Sequence, residues 1–214
     1  SSDEVDMYLI SLFPAAHPDA LLKAAKTGML PNADAVHAVA SRLRQHPEIP
    51  LIIDPVMVAT SGAELCGGNA QCAMCEELFP IASLITPNLA EAEKLISAKI
   101  PPDGFADAAI ALHRRYHCPV LLKGGHGTGN AAVDVLCNHD SVETFSLPRI
   151  ENPVSTHGTG CTLSAAIAAG IARGESLSSA VAIAKRFVHD AIAASRLCGN
   201  DIGVLGFTPR FQIT

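Results

Sequence analysis

Leu51-Ile52-Ile53-Asp54-Pro55-Val56-Met57 is a short apolar run interrupted by one carboxylate. Its length suits a strand, and its unbroken hydrophobicity suits a strand covered on both faces, as in a parallel sheet. Just before it, residues 33–46 set Ala35, Val36, Val39, Ala40 and Leu43 at helical spacing. The alternation continues downstream. Residues 72–78 read as a short helix, and Ser83–Thr86 as a strand ended by Pro87-Asn88. Residues 90–96 and 106–116 read as helices on either side of the loop Pro101-Pro102-Asp103-Gly104, and Pro119–Lys123 as a strand ended by Gly124-Gly125. Strands alternating with helices predict βαβ units around a mostly parallel sheet. Residues 132–136 and 142–147 flank Asn138-His139-Asp140-Ser141, a hairpin pattern that predicts an antiparallel edge. Two helices, 161–172 and about 177–195, complete the reading. No linker, repeat or low-complexity stretch divides the chain, so residues 1–214 are expected to form a single domain.

Composition narrows the function classes. Apolar residues make up 49% and charged residues 17% of the chain, which excludes a disordered polymer. A net charge of −6 argues against a general nucleic-acid binder, because phosphate contacts need clustered Lys and Arg. Aromatic residues are 4% and Trp is absent, so no base-stacking platform is legible. Seven Cys at irregular spacing do not form a disulfide framework. No signal peptide and no apolar run of transmembrane length is evident, so a cytoplasmic location without membrane partners is expected.

Four segments carry candidate chemistry. Thr156-His157-Gly158-Thr159-Gly160-Cys161 opens a long helix. Its glycines let backbone N–H groups turn toward an anion, and the helix dipole favours negative charge there. Cys161 falls in the first turn, where a thiol pKa is expected to drop. The plainer alternative is a Gly-containing helix start with a buried Cys. Asp54, after a buried strand, is placed to polarise a hydroxyl or hold Mg²⁺, or else caps a turn before Pro55. Asn88 and Glu91 have capping-box spacing, which is a complete structural role, and the same pair suits organising a hydrated Mg²⁺ near phosphates. Lys123, beside Gly124-Gly125-His126-Gly127, is placed to reach a phosphate, or the glycines simply turn the chain into the hairpin. Asp54, Asn88 and Lys123 all sit at predicted carboxyl ends of strands, where ligands of parallel sheets bind. Cys72-Ala73-Met74-Cys75 lacks a second ligand pair at zinc spacing and reads as core-facing positions on a short helix.

Taken in order, Lys26-Thr27-Gly28-Met29-Leu30, Asp54-Pro55-Val56-Met57, Thr86-Pro87-Asn88-Leu89-x-Glu91-Ala92, Lys123-Gly124-Gly125-His126 and Thr156-His157-Gly158-Thr159-Gly160-Cys161-Thr162 resemble the signature set of hydroxymethylpyrimidine/phosphomethylpyrimidine kinase, of the ribokinase superfamily. The resemblance covers about residues 24–195. It implies a three-layer α/β/α sandwich and transfer of phosphate from ATP to the hydroxymethyl group, or the monophosphate, of a pyrimidine in thiamin biosynthesis. It further implies that Gly158, Thr159, Gly160 and Cys161 form an anion hole, with Cys161 the candidate base. Asp54 and Glu91 would serve Mg²⁺, with Asn88 beside them. Lys123 and Thr156 would approach the ATP phosphates, and Met29 and Val56 would line the pyrimidine pocket. Homodimerisation is a further implication.

The front of the chain departs from that pattern. Residues 1–23 are atypical: neither the glycine-rich first turn nor the pyrimidine-holding Gln is found, and only residues 7–13 suggest an apolar strand. The N-terminal strands are therefore expected to be missing or diverged. Two alternatives follow, a pyridoxal or pyridoxine kinase of the same superfamily and a non-catalytic remnant that binds nucleotide.

Overall fold

The computed structural model describes residues 22–57, 67–125, 129–139, 141–199 and 202–207. The apolar strand 7–13 expected at the front, and His126 and Gly127, lie outside the described residues.

Among them, six strands form one sheet in sequential order: β1 (Ala25–Thr27), β2 (Leu51–Ile53), β3 (Leu84–Ile85), β4 (Val120–Lys123), β5 (Ala131–Asn138) and β6 (Ser141–Pro148). β1 to β4 pair in parallel, while β5 and β6 run antiparallel as the expected edge hairpin. The helices are α1 (Ala33–Leu43), α2 (Gly68–Ala73), α3 (Leu89–Ile96), α4 (Phe105–Tyr116), α5 (Thr159–Ala172) and α6 (Leu177–Ala193).

Period-two alternation along the strands divides the core. Leu51, Ile53, Ile85, Val120 and Leu122 pack with α1 to α4 on one face. Ile52, Leu84, Leu121 and Leu136 pack with Leu163, Ile167, Val181, Ala184 and Val188 of α5 and α6 on the other. This is the three-layer sandwich expected from the sequence.

Four details differ from the expectation. The strand at 51–57 stops at Ile53, because Val56 N turns back to Asp54 O at 2.8 Å and Pro55 has no N–H to donate. The helix at 72–78 begins earlier, at Gly68, and continues as a π-helical turn, Met74–Leu78. Ala70, Ala73, Met74 and Leu78 occupy its buried stripe. Cys72 is therefore exposed, not core-facing, whereas Cys75 is half-buried and packs against the core as expected. The three-residue β1 was not anticipated. A separate hairpin, β7 (Arg196–Cys198) with β8 (Ile202–Val204), was not anticipated either.

Candidate active site

The alternation that sorts the core also sorts the polar residues at the rim. Two residues beyond Ile52, Leu84 and Leu121 come Asp54, Thr86 and Lys123, so all three share the face that α5 covers. Lys26 pairs with Ile52 in register and shares that face too. Their main chains are tied together at the strand ends. Asp54 N donates to Thr27 O at 3.0 Å, Thr86 N to Ile53 O at 2.9 Å, and Lys123 N to Pro87 O at 2.9 Å.

Lys123 Nζ donates to Asp54 Oδ1 at 2.7 Å, with the Asp54 side chain 2% exposed and that of Lys123 12%. Thr86 Oγ1 donates to the same Asp54 oxygen at 3.3 Å. A carboxylate this deeply buried needs such partners to remain charged. Asn88 and Glu91 form the full capping box of α3: Glu91 N donates to Asn88 Oδ1 at 2.9 Å, and Asn88 N to Glu91 Oε2 at 2.8 Å. Glu91 is 2% exposed. Burial pushes its pKa up, while the Lys123 charge and the Asn88 amide oppose that rise. Capping and proximity to the ion pair thus coexist in one residue.

α5 enters from above this cluster. Gly158 is its N-cap in the left-handed region, φ 80°, which glycine adopts without strain. Thr159 Oγ1 donates to Thr156 O at 3.0 Å and Thr162 Oγ1 to Gly158 O at 2.8 Å, closing the turn. At Gly160 the helix presses on the ion pair. A Cβ there would stand 3.1 Å from Lys123 Nζ and 3.7 Å from Asp54 Oδ2. The first turn of the helix, the ammonium and the carboxylate therefore meet in one volume.

Cys161 lies next to that contact. Its thiol pKa is raised, against the expected drop: burial around the thiol is the largest cause, and the Asp54 charge is the next. Lys26 and Lys123 pull it down but do not outweigh them. The residue as a whole is nonetheless exposed.

The sequence-derived set therefore assembles for the most part. Asp54, Asn88, Glu91, Lys123, Gly158, Thr159, Gly160 and Cys161 surround one rim, and Thr156 is exposed at the turn leading into α5. Met29 is 50% exposed just past β1, and Val56 is half-buried after β2. Both follow strands that end at this rim. Sequence reasoning gave no individual role to Lys26 or Thr86. Their phase with Ile52 and Leu84 was the available signal. It also passed over Asp134 and Lys185, a buried ion pair at 2.6 Å behind Lys123.

Residues 6–205 match the phosphomethylpyrimidine kinase family. The chain is 43% identical over 183 residues to the hydroxymethylpyrimidine/phosphomethylpyrimidine kinase of Rhizobium meliloti, covering 85% of this chain and 68% of the relative. It is 40% identical over 190 residues to the bifunctional thiamine biosynthesis protein ThiED of Geobacter sulfurreducens, covering 88% of this chain and 39% of that protein. Among solved structures, an ADP complex of Bacillus subtilis pyridoxal kinase superposes with a TM-score of 0.83 at 32% identity, over 96% of this chain and 76% of that one.

Proposed function

The chain belongs to the phosphomethylpyrimidine kinase family, and on that premise we propose that it transfers the γ-phosphoryl group of ATP to the hydroxymethyl group of a 4-amino-2-methylpyrimidine, to its monophosphate, or to both in turn. The observation that carries this reading is the contact of Gly160, at the N-terminus of α5, with the Lys123–Asp54 ion pair. It brings a backbone anion nest, an ammonium and a buried carboxylate together at the carboxyl ends of the strands.

Phosphoryl transfer asks for positioning and charge neutralisation more than for covalent chemistry. On this reading the N–H groups of Gly160 and Cys161 receive the charge that spreads over the transferring oxygens. Lys123 supplies a fixed positive charge to the phosphates while remaining bonded to Asp54. The donor set suits Mg²⁺: two buried carboxylates, Asp54 and Glu91, offer hard oxygen ligands, and Mg²⁺ sites at nucleotides commonly use one or two carboxylates with the phosphates. When bound, Mg²⁺ supplies further charge neutralisation on the phosphates. Cys161 stands beside the attacking hydroxyl. With its thiol held protonated by burial and by Asp54, it orients that hydroxyl, and it accepts the proton only where Lys26 and Lys123 come to outweigh Asp54. Met29 and Val56 form the apolar side of the acceptor pocket.

Coupled ADP-release assays test the assignment. Asp54→Ala and Cys161→Ala are expected to lose turnover, the former more severely. Wild-type rates in both variants would sink it. The likeness to a pyridoxal kinase favours a second reading, a pyridine of the vitamin B6 type as acceptor. Side-by-side kcat/KM values for the two acceptors separate these readings, and nucleotide binding without turnover on either would mark a non-catalytic remnant. The proposed reading carries a cytoplasmic location and a homodimer, the latter open to sedimentation analysis. No described helix is long and apolar enough to cross a membrane.

A further inference from the structure

Lys123 lies directly opposite Asp134 in the antiparallel β4–β5 register. Opposed residues point to the same sheet face with Cβ atoms about 5 Å apart. Sheet geometry alone therefore offers the Lys123 ammonium a carboxylate on the adjacent strand, away from the phosphate site. Lys123 nevertheless bonds to Asp54. Both oxygens of Asp134 are already taken: Oδ1 accepts Gly124 N at 2.9 Å, and Oδ2 accepts Lys185 Nζ, from α6, at 2.6 Å. Asp134 is 5% and Lys185 8% exposed, so water does not relax this arrangement. The Gly124 turn is held equally closely, since a Cβ there would stand 2.0 Å from Val133 O.

We infer that Lys185 is a positioning residue for phosphoryl transfer: by saturating Asp134 it denies that carboxylate to Lys123 and leaves the Lys123 ammonium to Asp54 and the nucleotide phosphates. The inference rests on the kinase reading above. It assigns a functional consequence to a buried ion pair that the core alone does not require, because a pair of matched apolar residues fills such a space at no loss of stability in many proteins.

The test is a double-mutant cycle read by calorimetric titration with MgADP, each variant checked by its thermal melt. Lys185→Met leaves Asp134 charged and unpaired, free to capture Lys123, and is expected to weaken MgADP binding roughly tenfold, on the scale of one hydrogen bond to a charged group. In a Lys123→Ala background the same change is expected to cost less than about twofold, because Lys185 acts through Lys123. Asp134→Asn/Lys185→Met removes the competing charge, keeps an oxygen for the Gly124 N–H, and is expected to restore affinity to within about threefold of wild type. An equal loss from Lys185→Met in both backgrounds overturns the inference. So does an Asp134→Asn/Lys185→Met variant that melts like wild type yet binds about tenfold more weakly. That second result applies even where Lys185→Met alone does not fold. A wild-type chain that binds no MgADP overturns the functional reading itself and this inference with it, which distinguishes the two failures.

Discussion

Gly160→Ala separates catalysis from folding in one substitution. Gly160 lies inside α5 and is not among the glycines with positive φ, so its backbone accepts a side chain. Alanine in a helix is favoured over glycine by up to about 1 kcal/mol, so the fold is expected to gain slightly, by roughly 2–4 °C in Tm for a chain of this size. The new methyl, however, would stand 3.1 Å from Lys123 Nζ and 3.7 Å from Asp54 Oδ2. The first of these is tighter than ordinary packing. The neighbour is the tip of a flexible side chain, so it yields by a few tenths of an ångström without disturbing the core. What yields is the ammonium to which the proposed function assigns the phosphates, and the methyl fills space that the proposed function assigns to a phosphoryl oxygen. Misplacing one charged hydrogen bond costs about 1.5–3 kcal/mol, equivalent to a fall of roughly 10- to 150-fold in kcat/KM. Coupled ADP release gives the rate, and circular dichroism melts give the stability. A variant with unchanged kcat/KM refutes the placement of the transferring group against Gly160. A variant whose lost rate tracks a lowered Tm refutes the claim that the methyl acts on the site and not on the fold.

Gly158→Ala tests the backbone instead. Among the described residues nothing stands within 4 Å of a Cβ there, so the cost comes from holding φ at +80° and is expected to be about 1–2 kcal/mol, a drop of several degrees in Tm, with kcat reduced as the turn relaxes. Burial pushes the Cys118 thiol up to about 12 from its ordinary 9.0. A folded pKa above the unfolded one means stability fully present below pH 9 and lost as pH rises toward 12. Urea titrations across that window are expected to show a shallower alkaline loss for Cys118→Ala, and an unchanged slope would refute the assignment. Leu121→Ala, from a fully buried position against α5 and α6, is expected to cost about 2–5 kcal/mol in denaturant titration, and a loss below about 1 kcal/mol would contradict its place in that core.

Most of the layer order was legible because buried parallel strands announce themselves as continuous apolar runs. Leu51–Ile53 and Val120–Lys123 were read in this way, and the hairpin declared itself by alternation around Asn138-His139-Asp140-Ser141. β1 was not, since Ala25-Lys26-Thr27 contains no large apolar residue. It is a strand because β2 accepts it in register, a fact of tertiary pairing. The hairpin β7–β8 escaped for a related reason: its three-residue strands are largely exposed and carry no periodic burial. The π-helical turn after Ala73 leaves no mark in composition, and the helix start at Gly68, which puts Ala70 and Ala73 in the buried stripe and Cys72 outside it, was not read either.

The site shows where local reading stops. Phase along a strand tells which sheet face a polar residue takes, so Asp54, Thr86 and Lys123 are assignable from Ile52, Leu84 and Leu121 alone. Which helix covers that face is another matter. α5 is apolar or small nearly all round, Thr159-Gly160-Cys161-Thr162-Leu163-Ser164-Ala165-Ala166-Ile167, and its pattern names no preferred side. Its placement is settled by partners distant in sequence, Ile52 and Leu121 beneath it and α6 beside it. The thiol pKa follows the same logic. A helix N-terminus considered alone lowers it, and the burial and the Asp54 carboxylate that reverse the sign arrive only when the sheet and α5 are packed together. The Gly-rich helix start was therefore readable as a helix start, whereas the protonation state of the residue it carries was a property of the assembled rim.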